Sequence, residues 1–77
     1  MTEAEIYRLI KIMLLDGDMS ESSAAGRLGM TKQNFNRKIK AGTVRLSEFL
    51  QLANITGHKV YMERTDGDGK KERTELK

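Results

Sequence analysis

The stretch "SESSAAGRLGMTKQNFNRKIKAG", Ser20 to Gly42, holds two short amphipathic segments, each opened by a hydroxyl residue and closed by a glycine. Ser20 is suited to cap the first, because its side-chain oxygen can accept a backbone N–H that the first helical turn leaves unpaired. Met19 before the cap and Ala24 at the fourth helical position form a small hydrophobic staple. Ala24, Ala25 and Leu28 make the inner face, and the alanines let another helix approach closely. Gly29 ends the segment abruptly. Thr31 caps the next helix, with Met30 stapling onto Phe35. Phe35 and Ile39, four residues apart, share its buried side. Lys32, Gln33, Asn36, Arg37 and Lys40 then fall on other faces and look outward. Ala41-Gly42 closes the helix.

Working outward, residues 3–15 predict a first helix. Ile6, Ile10, Met13 and Leu14 follow i, i+4, i+7, i+8 spacing, Thr2 can cap it, and Glu3 and Glu5 favour its N-terminal dipole. "DGD" (16–18) supplies a turn, with Gly17 expected in a left-handed helix exit. A fourth helix is expected over about 46–56, with Leu46, Phe49, Leu50 and Ala53 on one face and Leu52 broadening it. Its cap is Thr43 or Ser47, and Gly57 stops it. From Lys59 the period changes to two. "KVYMERT" (59–65) reads as a strand with Val60 and Met62 on one side, a pair that would seal against Leu52 or Ile55 if the strand paired with its symmetry mate. "DGDG" (66–69) is a strong turn, after which "KKERTELK" returns as a second strand or frays. The expectation is a mainly α chain: a four-helix domain over 1–58, then a strand or hairpin with a polar tail over 59–77.

Seventy-seven residues suit one small core. The chain has no cysteine, which fits a reducing cytoplasm and leaves no thiolate for a metal. No apolar run approaches the roughly 20 residues needed to span a bilayer. The first residues lack the basic start of a signal peptide, so a soluble cytoplasmic protein is expected.

The net charge of +3 is unevenly placed. Residues 1–30 carry five acids and three bases, 31–45 carry five bases and no acid, and 46–77 carry six of each. The whole excess falls in the window of Lys32, Arg37, Lys38, Lys40 and Arg45. A localised patch of this kind points to a polyanion, although a solvated helix face has the same composition.

Helix, tight glycine turn, helix, with a small residue four positions before the glycine, is the arrangement of a helix-turn-helix DNA reader. Here the sequence resembles the small Cro/cI-type (XRE-family) regulators of phages and mobile elements, from about Ile6 to Ile55. Ser20, Ala24-Ala25, Leu28-Gly29-Met30, Thr31 and Phe35 match that pattern of cap, small, apolar-Gly-apolar, cap and apolar residues. One position departs from it: Lys38 stands where the family often has an apolar residue, and Ile39 supplies the apolar group instead.

The resemblance implies that Lys32, Gln33 and Arg37, with Asn36, touch base edges. The chemistry agrees: Lys and Arg donate to guanine, and Gln and Asn pair with adenine. Ser20, Thr31, Asn34, Lys40, Thr43 and Arg45 suit phosphates. Such proteins bind inverted repeats of double-stranded DNA as two-fold dimers, so a homodimer is expected. Its candidate interface is the strand residues Val60, Tyr61 and Met62, with an internal hairpin or a dimer through the fourth helix as competitors. Repression by occupancy is the expected mode. The other class of reading is a protein-interaction module, inhibitor or antitoxin-like, that uses the same basic surface.

Catalysis has little to draw on. His58 is the only histidine, and it follows a helix stop. The five methionines read as core filler. "DGDG" fails as a calcium loop, because Lys70 and Lys77 fall where ligands are needed. No enzyme, metal, cofactor or small-molecule ligand is expected.

Overall fold

The computed structural model describes residues 1–77 and contains four helices and a hairpin: α1 (Glu3–Asp16), α2 (Glu21–Arg27), α3 (Lys32–Ala41), α4 (Leu46–Ile55), β1 (Val60–Thr65) and β2 (Lys71–Leu76). Three of the helices start on the expected hydroxyls. Thr2 Oγ1 accepts the Glu5 N–H at 3.2 Å while the Glu5 carboxylate accepts the Thr2 N–H at 3.1 Å. Ser20 Oγ accepts from Ser23 N–H at 3.0 Å, and Thr31 Oγ1 from Asn34 N–H at 3.1 Å. Each such cap stabilises its helix by about 1 kcal/mol.

The start of α4 corrects the sequence expectation. Neither Thr43 nor Ser47 caps it; Arg45 holds the cap position in extended backbone, and the Glu48 carboxylate reaches back to the Arg45 N–H at 2.9 Å. An acceptor three residues inside the helix satisfies the terminus, so no hydroxyl is needed.

Nine apolar residues form the core: Ile10, Met13, Leu14, Ala24, Ala25, Phe35, Ile39, Leu52 and Ala53. Both α1 and α2 pack on α3, and α4 packs on α1. Ala25 is 1% exposed, so no larger side chain fits beneath α3 without moving a helix. On α4 the buried stripe is rotated from the expected one. Leu46, at the first helical position, is 64% exposed, whereas Leu52 is fully buried and the seam runs on through Ala53 and Thr56.

The α1 exit also differs. Gly17 has φ −84°, and Asp18 takes the left-handed conformation at φ 50°. Glycine is needed at 17 for a tertiary reason: a Cβ there would lie 2.8 Å from Thr56 Cβ. Around this contact Thr56 Oγ1 donates to Leu52 O at 2.7 Å and lies 3.0 Å from His58 Nδ1. His58 Nε2 lies 3.2 Å from Asp16 Oδ2. With the hydroxyl of Thr56 buried against helix carbonyls, this Thr–His–Asp line ties the C-termini of α1 and α4 together.

After Gly57 the chain leaves the helical body. β1 and β2 pair antiparallel from Val60↔Leu76 to Thr65↔Lys71. The Asp66 carboxylate closes the turn by accepting the N–H groups of Asp68 and Lys70 at 2.9 and 3.0 Å. The polar tail therefore returns as a second strand, and β1 finds its partner within its own chain. Val60 packs against the core, whereas Met62 is 60% exposed and Tyr61 47%. The hairpin diverges from the bundle, and the molecule measures 47 × 23 × 19 Å. No helix is long and apolar enough to cross a membrane.

Candidate nucleic-acid interface

The rotation of about 100° per residue along a helix sorts the side chains of α3 into three sectors. Phe35 and Ile39 point inward and are 1% and 0% exposed. Gln33, Arg37 and Lys40 point directly away from them and are exposed. On one flank lie Lys32 and Asn36, facing the α1–α2 side; on the other lies Lys38, facing α4. Phe35 and Ile39 thus hold α3 from behind and leave a ridge about 15 Å long standing proud of the bundle.

One side chain on each flank is engaged within the chain. Asn36 Nδ2 donates to Glu21 Oε2 at 3.2 Å, so this amide already has a partner on α2. Lys38 Nζ lies 3.0 Å from Glu48 Oε2, with the two side chains 25% and 16% exposed. Lys38 is thus accommodated by a carboxylate from α4. Glu48 consequently serves two partners, and its carboxyl sits below the ordinary carboxylate range, first because Arg45 N–H donates to it and then because Lys38 pairs with it. The window with no acid in sequence thus acquires one in space.

The crest of the ridge acquires none. Lys32 on the flank and Arg37 and Lys40 on the crest make no ion pair; Arg45 makes none either, but its charge helps hold the Glu48 carboxyl down, so three of the window's five cations remain uncompensated. Arg37 Nη2 donates to Asn34 Oδ1 one turn back, which steadies the guanidinium without neutralising it. Ser20 and Thr31 use a lone pair for capping, and each keeps its O–H proton available to an incoming acceptor. Thr43 and Arg45 are exposed in the α3–α4 connection, next to the end of the ridge.

Of the residues singled out from sequence, Lys32, Gln33, Arg37, Lys40, Thr31 and Asn34 are brought together on α3 or its cap. Ser20 begins the adjacent helix. Val60, Tyr61 and Met62 lie in the hairpin instead. Sequence reasoning missed Glu21 and Glu48, which select the α3 side chains that stay free. The Glu48 signal was present in its position three residues after Arg45. Glu21 carried none. The chain matches no protein-family model, no curated protein and no solved structure.

Proposed function

We propose that this protein is a sequence-specific DNA-binding regulator of the Cro/cI helix-turn-helix type, in which α3 lies in the major groove of an inverted-repeat site and occupancy represses transcription. The carrying observation is the crest of α3: Gln33, Arg37 and Lys40 exposed on a ridge clamped by Phe35 and Ile39, with no carboxylate opposing them. A polyanion suits the three uncompensated cations of α3. The mix of Lys, Arg and Gln supplies donors for guanine and a bidentate partner for adenine. Lys32, Gln33 and Arg37 are the base readers. Asn36 joins them only by releasing Glu21. Thr31, Asn34, Ser20, Lys40, Thr43 and Arg45 serve phosphates.

One such ridge reads few base pairs, and a two-fold dimer with ridges about 34 Å apart doubles the site. The hairpin supports a dimer for a physical reason. A two-stranded sheet is marginal alone, and this one projects with Tyr61 and Met62 exposed and an outer edge of β1 unpaired. Antiparallel pairing of β1 edges across a two-fold axis makes a four-stranded sheet.

Selection of bound sites from random double-stranded DNA, followed by titration in rising salt, tests the reading. An enriched palindrome is expected, with log K falling linearly against log salt. Absence of DNA binding at low salt would leave the protein-docking reading in its place.

A further inference from the structure

The C-terminal half of α1 carries apolar surface that the core does not use. Ile12 is 40% exposed and Leu15, one turn on, is 80% exposed. With the half-buried Met19 they floor a groove of about 560 Å³ between α1 and the start of α2. Scattered exposed leucines are ordinary, but an apolar groove with a net-positive rim is less so. The rim holds Arg8, Lys11 and Lys32 against one carboxylate, Glu21, which lies 3.2 Å from Lys11.

We infer that this groove is a docking site for an acidic amphipathic helical segment of a partner protein, and that its occupancy excludes DNA. An apolar floor gives phosphates nothing, whereas leucine-type anchors on a helix seat in such a groove at i, i+3/i+4 spacing. Carboxylates flanking those anchors meet Arg8 and Lys32. A second copy of this chain is a poor occupant. Its exposed hairpin strands carry three bases (Arg64, Lys71, Arg73) against three acids (Glu63, Glu72, Glu75) and offer no net complement. Lys32 couples the two events. It stands on the groove rim and also at the start of α3, so a carboxylate that takes it withdraws it from DNA. The exclusion rests on the DNA-binding reading; the docking does not.

The test uses the full chain, 15N-labelled, and a synthetic helical peptide with leucines at i, i+3, i+7 and glutamates elsewhere. The control peptide has lysines in place of the glutamates. Shifts confined to the amides of residues 8–22 and Lys32 are expected, with at least tenfold weaker binding for the lysine peptide. Leu15→Ser should weaken the glutamate peptide at least tenfold. This variant removes a side chain that is already exposed, and its thermal melt should match the parent. No shifts at millimolar peptide, equal binding of both peptides, or full binding by Leu15→Ser overturns the docking site. Self-association that disappears in Leu15→Ser also overturns it, by making a second copy the occupant. With DNA selected as above, the glutamate peptide should displace it from the parent but not from Leu15→Ser. If the peptide and DNA bind together, exclusion is overturned while docking stands. If the protein holds no DNA, the peptide shifts alone decide the groove.

Discussion

Gly42, at the C-terminus of α3, lies against the N-terminus of α1, and its replacement should be the most damaging of the glycine substitutions, for two separable reasons. Its φ of 67° is left-handed, which costs a residue with a Cβ about 1–2 kcal/mol. In addition, a Cβ at this position would lie 2.5 Å from Glu3 Cα and 2.8 Å from Glu3 O, backbone atoms that cannot swing aside. Overpacking of that kind adds roughly 1–3 kcal/mol, so Gly42→Ala should cost about 3 kcal/mol in all. Gly29 isolates the first cause: its φ is 71°, but nothing lies within 4 Å of an added Cβ. Gly29→Ala should therefore cost only about 1–2 kcal/mol. Asparagine dissociates the two causes, because it tolerates left-handed backbone but still carries a Cβ. Gly29→Asn should recover most of the alanine loss, whereas Gly42→Asn should recover little. Urea unfolding of the four variants measures these differences directly. If Gly42→Ala is no worse than Gly29→Ala, or Gly42→Asn is rescued to the same degree as Gly29→Asn, the close approach of α1 to the end of α3 does not hold, and the aim of the ridge loses its support.

Glu48→Gln should lower stability at neutral pH by about 1 kcal/mol or less, since the Lys38 pair is partly screened. Because folding holds the Glu48 carboxyl below its ordinary range, its contribution is full above that range and is lost as pH falls through the folded value. The parent should lose stability on acidification more steeply than Glu48→Gln, as read by urea midpoints from pH 7 to 3; parallel profiles would contradict the double role of Glu48. For DNA, Arg37→Ala should cost about 1–3 kcal/mol on the selected site and relax one base position. Lys40→Ala should instead weaken all sequences alike and flatten the salt slope by about 1 per protomer. Operator binding unchanged by both would remove α3 as the reading helix. Met62→Lys, at an exposed strand position, should shift the sedimentation profile toward monomer while leaving the thermal melt of the helical body near the parent's; an unaltered profile would exclude the hairpin as the dimer contact.

Much of the fold was legible because its determinants act over three or four residues. Thr2, Ser20 and Thr31 each cap through a bond spanning three positions, Phe35 and Ile39 share a face by helical period, and Asp66 closes its turn within its own loop. The exposed face of α3 was legible for the same reason, since helical rotation alone separates Gln33, Arg37 and Lys40 from Phe35 and Ile39.

Tertiary structure decided which of those outward side chains remain free. Glu21 takes Asn36 from fifteen residues away, and His58 joins Asp16 across forty-two. Gly17 answers to Thr56 across the α1–α4 seam rather than to its own backbone, and Leu46 and Leu15 stay exposed because the helices pack along other stripes. Sequence periodicity specifies a helix face to within a sector of rotation. The crossing of two helices then selects the ångström-scale contacts inside that sector, and crossings are set by the volumes of the buried side chains all together. Caps and sectors therefore belonged to the sequence. The charge left uncompensated on α3 belonged to the packing.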